Sequence, residues 1–355
     1  MKILITGACG FAGSTLALEL KRRIEGLEIL GLDNLSRPGS ERNRHALRQQ
    51  GIRFLHGDIR NPADLEDLPK ADWLIDAAAN PSVLAGVSGT ASSRQLMEHN
   101  LIGTIHLLEY CKRHGAGLIM LSTSRVYSAA RLSALPMDVT KGAFVPRFSS
   151  AREPGLSPEG LGEDFSTQPP LSLYGSAKLA SEILILEYGA AFDLPVFVNR
   201  CGVLAGAGQF GKPDQGIFTF WIHSYRRKQP LTYIGFGGAG HQVRDCLHPR
   251  DLAELVSRQM RHPEKAGLVL NVAGGVANSM SLAQLSEWCA SRFGRHEIGS
   301  NPAPRRYDVP WLVLDPARAA AEWNWRPATK LERVLDEIAR HAEQHPEWLD
   351  ISNDT

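Results

Sequence analysis

The chain lacks paired cysteines. Its five, Cys9, Cys111, Cys201, Cys246 and Cys289, include no C-x-x-C pair and sit by no histidine cluster, so neither a disulfide framework nor a metal site is expected. They read as reduced, packed thiols of a cytosolic protein. It also lacks a charge of one sign. A formal charge of +1 over 355 residues gives no field to attract nucleic acid or an anionic membrane, so an anionic ligand must be held by local groups. No apolar run approaches the roughly 20 residues of a membrane span. The first apolar strand starts at Lys2, which leaves no room for a signal peptide, so a soluble cytoplasmic protein is expected. Internal repeats and low-complexity tracts are absent too.

What is present suffices for a large α/β domain with a smaller partner, since 43% of residues are hydrophobic. Lys2 to Thr6 is an apolar, β-branched run, followed by Gly7, Phe11, Ala12 and glycines again at Gly10 and Gly13, then the helix-like STLALELKRRI. A strand that turns so tightly into a helix needs Gly7 for the turn, Gly10 for backbone approach to a pyrophosphate and Gly13 for helix–strand packing. The helix start then attracts the phosphates. A second strand, Leu27 to Leu32, ends at Asp33, whose carboxylate suits an adenosine ribose, and Asn34, Ser36 and Arg37 follow in a polar loop. Arg37 suits a 2′-phosphate or solvent, whereas Asp33 repels that phosphate, so the pair favours NAD over NADP.

Further strands are expected at Ile52 to His56, Trp73 to Ala79, Gly117 to Leu121, Val196 to Arg200 and Leu268 to Val272. Asp58, beside Ile59, is placed to read an adenine amino group or to cap the next helix. Ala77, Ala78 and Ala79 are small enough for a cofactor to lie against the sheet. Leu96 to His114 reads as one helix ended by Gly115, and Pro249 to Met260 as another. Residues 129–172, rich in Pro, Ser and Gly, read as irregular, a lid or binding loop or else a surface insertion. Gln242 to His248 is a polar run, and beyond Asn278 the chain reads as mainly helical to a last helix near Leu331 to His341.

Hydroxyls gather at Ser122, Thr123 and Ser124, just after a strand, and Tyr174 and Lys178 stand four apart on one helix face. A tyrosine near its ordinary pKa of about 10 is a poor base at neutral pH. A lysine one turn away, with the positive nicotinamide of an oxidised cofactor, is expected to lower that pKa. Tyr174 then takes a proton from a sugar hydroxyl that Thr123 orients while the adjacent carbon gives up hydride.

These features together, with Trp325-Arg326-Pro327 late in the chain, resemble the extended short-chain dehydrogenase/reductase superfamily, whose members modify nucleotide-sugars. The runs DNLSR (Asp33 to Arg37), HGDIRN (His56 to Asn61), QF with DQG (Gln209 to Gly216) and QVRDCLH (Gln242 to His248) are similar to those of the CDP-sugar 2-epimerases within it. The resemblance implies a doubly wound parallel (Rossmann) sheet with a smaller, mostly α C-terminal substrate domain. Residues 1–205, rejoined by about 241–275, would bind NAD, and 206–355 would mainly bind a nucleotide-diphosphate sugar. It implies Thr123, Tyr174 and Lys178 as catalytic residues, and adds Asn100, Ser122, Cys201 and Val203 to the cofactor site. Asn80, Thr123, Ser124, Arg125, Gln209, Arg244 and Arg305 fall at the substrate, with Arg244 on the diphosphate or in an ion pair with a neighbouring Asp.

Where related dehydratases carry Asp-Glu after the threonine, this chain has Ser124-Arg125, so water elimination lacks its acid and base. Val203 replaces an asparagine common in 4-epimerases, and Asn80-Pro81-Ser82 a glutamine expected of the 2-epimerases. An epimerase at C2 of a CDP-sugar is the leading expectation, beside a UDP-sugar 4-epimerase, another nucleotide-sugar oxidoreductase, or a non-catalytic NAD(P) sensor. A homodimer or homotetramer through the helices near 96–114 and 176–188 is expected from the family alone.

Overall fold

Residues 1–87 and 92–353 are described by a computed structural model. Seven parallel strands form its central sheet: β1 (Lys2–Thr6), β2 (Glu28–Asp33), β3 (Arg53–His56), β4 (Trp73–Asp76), β5 (Gly117–Thr123), β6 (Val196–Cys201) and β7 (Leu268–Val272). They lie in the order β7-β6-β5-β4-β1-β2-β3, so the direction of winding reverses between β4 and β1. Both faces are covered because the strands are apolar on both sides. Ile3 and Ile5 of β1 pack with Leu16 and Leu20 of helix α1 (Phe11–Arg23) and with Leu252 and Val256 of the helix Pro249–Arg261. Leu4, between them in sequence, points the other way, to Leu107 and Leu108 of the helix Gly103–His114 and Ile185 of helix α2 (Leu173–Phe192). This is the doubly wound sheet that the sequence implies.

A separate cluster joins the helices Ile217–Arg226, Leu282–Phe293 and Leu331–Gln344 around Phe218, Trp221, Leu285, Val334, Leu335 and Ile338. The apolar stripe Leu331, Val334, Leu335, Ile338, Ala342 has helical spacing and faces that cluster. A short helix, Trp348–Asn353, follows. Trp325 is fully buried and its indole donates to the Asp251 carbonyl at 2.9 Å, so the late tryptophan holds the helix Pro249–Arg261.

Several expectations need correction. Residues 129–172 are not irregular: they form a helix (Ala129–Ala134), a hairpin (Met137–Thr140 with Ala143–Pro146) and a two-residue ribbon (Leu156–Ser157 with Gly160–Leu161). Leu132, Leu135, Leu161 and Phe165 bury against Val309 and Trp311 to Leu314. Strands this short offer too few alternations to be seen among prolines and serines. β4 stops at Asp76, so Ala77 to Ala79 already lie beyond the sheet. The polar run 242–248 contains a strand, Val243–Leu247, paired with Val203–Leu204, Ser279–Ser281 and Trp311–Leu312. The helix expected over 96–114 is Ser93–Met97, a π-helical turn Glu98–Ile102, and Gly103–His114.

His248 starts the helix Pro249–Arg261, its ring nitrogen accepting from the Arg250 N–H at 3.1 Å. Burial, helped by the Arg250 charge, holds its pKa down at about 4. The unfolded chain therefore binds the extra proton between roughly pH 6.5 and 4, so stability present above pH 6.5 is lost as pH falls through that window. His248→Asn keeps an acceptor at the helix start. Its melting temperature should fall less between pH 7 and 4.5 than that of the wild type, as scanning calorimetry would read.

Candidate functional site

One cleft of about 700 Å³ opens at the carboxyl ends of the strands, where the winding reverses. Its floor is the glycine turn. Gly7 has φ +62°, and a Cβ there would meet the Ala77 carbonyl oxygen at 2.7 Å. A Cβ on Gly13 would meet the Gly7 oxygen at 2.1 Å, so α1 packs on the turn only without side chains. Gly10 has an ordinary φ of −67°, but a Cβ there would crowd the Gly7 carbonyl oxygen at 3.2 Å. The first turn of α1 holds no acidic residue, and Phe11 and Ala12 complete the floor, so the residues fit the pyrophosphate of a dinucleotide.

Asp33, Asn34, Ser36, Arg37, Asp58, Ile59 and Ala77 to Ala79 line the same cleft. Their contacts refine the expectations. Asp33 accepts from the N–H groups of Cys9 and Leu35, both at 2.8 Å, so its carboxylate also pins the glycine turn to β2. Asp58 is gripped by the Arg60 guanidinium, which holds its carboxyl well below the usual range, and by Asn34. It does not cap the next helix, Ala63–Glu66, whose N-cap is Pro62. Arg37 turns across the cleft, donating to Gln215 Oε1 at 2.7 Å and to the Phe210 carbonyl.

Asn80 and Asn100 do not line the cleft. They hold each other: the Asn100 amide donates to the Asn80 carbonyl at 2.9 Å and accepts from its N–H at 2.8 Å. Asn100 lies in the π-helical turn, which therefore positions the segment after β4. Ser122 reaches the cleft, but its hydroxyl donates to buried Glu182, which is paired with Arg200 at 2.8 Å. Glu182 went unnoticed in the sequence, although it stands two turns beyond Tyr174 on the same helix.

At the end of β5, Tyr174 and Thr123 both line the cleft beside Cys201 and Val203, and the Thr123 hydroxyl accepts from the Arg125 N–H at 3.1 Å. The helix α2 starts at Ser172, which accepts from the Gly175 N–H, and Gly175 lets it touch the Arg125 carbonyl, where a Cβ would lie at 2.1 Å. Lys178 is 1% exposed and one turn deeper; it does not line the open cleft. Burial pushes the Tyr174 phenol up to about 12, more than Thr123 and Arg125 bring it down. The lowering expected from Lys178 is therefore not present in the protein alone.

Ser124, Arg125, Gln209, Arg244 and Arg305 line the cleft as well. Arg244 pairs with Asp308 at 2.7 Å, and Arg125 donates to the Tyr307 carbonyl at 3.3 Å. Burial and the neighbouring Arg244 push the Arg125 guanidinium down to about 10. The Gln209 amide donates to the Leu204 carbonyl and accepts from Thr219, so it shapes its own loop. Asp308 and Tyr307 had no signal in the sequence, because only folding brings 305–308 to this cleft.

A glycine turn under a phenol, with guanidinium groups beyond, defines an NAD-dependent redox enzyme on a Rossmann sheet. Residues 3–273 match the NAD dependent epimerase/dehydratase family, and the chain belongs to it. It is 32% identical to the CDP-paratose 2-epimerase of Salmonella typhi over 92% of this chain and 95% of that one. It is 25% identical to the UDP-glucuronate 4-epimerase of Thermodesulfobacterium geofontis over 98% of this chain and 97% of that one. The fold matches the UDP-glucose 4-epimerase of Thermus thermophilus, solved with NAD, at a TM-score of 0.75 and 24% identity, over 97% of this chain and 99% of that one.

In the NAD-free protein Tyr174 should stay a phenol at pH 10.5. Tyrosinate absorbance, compared between wild type and Tyr174→Phe, should show no difference there, and a difference should appear once NAD is bound.

Proposed function

We propose that this chain inverts a hydroxyl-bearing carbon of a nucleotide-diphosphate sugar, and that the substrate is CDP-linked and inverted at C2. The observation that carries the reaction is that Tyr174 and Thr123 line one cleft at the end of β5, with Lys178 one turn further along the helix and no carboxylate at 124–125. NAD in the groove would accept hydride from the sugar carbon and return it to the other face. Tyr174 takes the hydroxyl proton and later gives it back, and Thr123 holds that oxygen in line. Lys178 favours the phenolate once the site is loaded. Arg244 and Arg305 bind the diphosphate, with Asp308 orienting Arg244.

Ser124 and Arg125 leave no acid to expel a hydroxyl, which argues against dehydration. The 32% relative supports the C2 reading. Inversion at C4 of a UDP-sugar is the second reading, supported by the 25% relative. Residues 1–205 with about 241–275 would form the cofactor domain and the rest of 206–355 the substrate domain. Exposed Ile102, Ile183 and Phe192 support pairing of two copies through the helices that carry them.

Incubation with CDP- and UDP-hexoses, followed by sugar analysis, should show inversion without net absorbance change at the nicotinamide band; stoichiometric oxidation of added NADPH would refute it. Tyr174→Phe should lower kcat by about 10²–10⁴-fold while NAD affinity is kept.

A further inference from the structure

Two motifs singled out in the sequence, DNLSR and DQG, turn out to touch each other. The segment 209–216 leaves the strand Val203–Leu204 and enters the helix Ile217–Arg226 at Gly216, whose φ is +68°. Phe210, Pro213, Asp214 and Gln215 line the same cleft as the glycine turn. We propose that this segment is a strap latched over the cofactor groove, and that Arg37 is a positioning residue that retains NAD through it. The inference rests on the groove being the NAD site.

Three separate attachments hold the strap. From the end of β2, Arg37 donates to Gln215 Oε1 at 2.7 Å and to the Phe210 carbonyl. From the segment after β4, the Ser82 hydroxyl donates to Asp214 Oδ2 at 2.6 Å. Behind it, the Trp348 indole donates to the Gln209 carbonyl at 2.9 Å and stacks on Phe210 at 5.3 Å. The strap also closes on itself, Lys212 and Gln215 exchanging backbone hydrogen bonds at 2.7 and 3.0 Å. A dinucleotide held between the glycine turn and this strap would leave only when the first two attachments open, because they tie the strap to the segments after β2 and β4. The Arg37 guanidinium, engaged with the strap, is not directed at an adenosine phosphate. A reaction that returns hydride to the sugar it came from needs no exchange of cofactor, and a latched strap suits it.

The test is release of NAD from loaded protein into NAD-free buffer, followed by rapid gel filtration at intervals, with melting temperatures as the check on folding. Ser82→Ala, Asp214→Asn, Gln215→Ala and Arg37→Met should each speed release about tenfold, the scale of one charge-assisted contact. Arg37→Met combined with Gln215→Ala should release no faster than the quicker single variant, because both remove the same latch. The ratio of NAD to NADP affinity should be unchanged in Arg37→Met. Release by Ser82→Ala and Asp214→Asn at the wild-type rate would overturn the proposal. So would additive effects of Arg37 and Gln215, or a loss of NADP affinity alone in Arg37→Met. Release is read without turnover, so a protein that inverts no sugar yet holds NAD through these contacts would refute the epimerase reading and leave the strap standing.

Discussion

A Cβ on Gly13 would stand 2.1 Å from the Gly7 oxygen, and the rest of the site depends on that approach. It sets where α1 begins and aims its first N–H groups at the cleft. Asp33 then ties the turn to β2 through the Cys9 N–H, and Ala77 closes against Gly7 from the end of β4. Three strands are thereby locked around one anion-binding turn. A side chain at Gly13 would displace α1 from the sheet before it disturbed any ligand.

Above that floor stands Tyr174, the proposed base. Tyr174 is buried, and burial favours the neutral phenol over the phenolate. Lys178 lies beneath it without reversing that preference. A positive ring placed against the phenol would do so, and on the proposed reading the base would then depend on the cofactor. A buried network of Ser122, Glu182 and Arg200 behind β5 holds the strand end that carries Thr123. That network satisfies its own charges, so it braces the site without entering the chemistry.

The cluster of guanidinium groups in the cleft is built differently. Arg125, Arg244 and Arg305 come from three distant stretches, and Asp308 neutralises only one of them. The excess positive charge suits a diphosphate in a chain whose overall charge is +1. On the proposed reading the field that would recognise the ligand is local, since the overall charge is nearly balanced. The strap belongs to the same logic, joining segments after β2 and β4 to a loop that leads into the helical cluster.

The sequence by itself determined the sheet, its winding, the glycine turn and the helix that carries Tyr174. Strand–glycine–helix spacing, an acid at the end of β2, and Tyr174 four before Lys178 are local patterns, and local sterics and periodicity force their geometry. Contacts between residues far apart in the chain were decided only by tertiary structure. Arg37 meeting Gln215, Asn80 meeting Asn100 and Arg244 meeting Asp308 carry no mark in spacing, since each depends on how separate elements pack. The fold of 129–172 was hidden for a related reason: its strands of two to four residues are stabilised by burial against 309–314, not by any period of their own. The rise of the Tyr174 pKa has the same origin, because burial is a property of the assembled molecule and not of the tyrosine's neighbours in sequence.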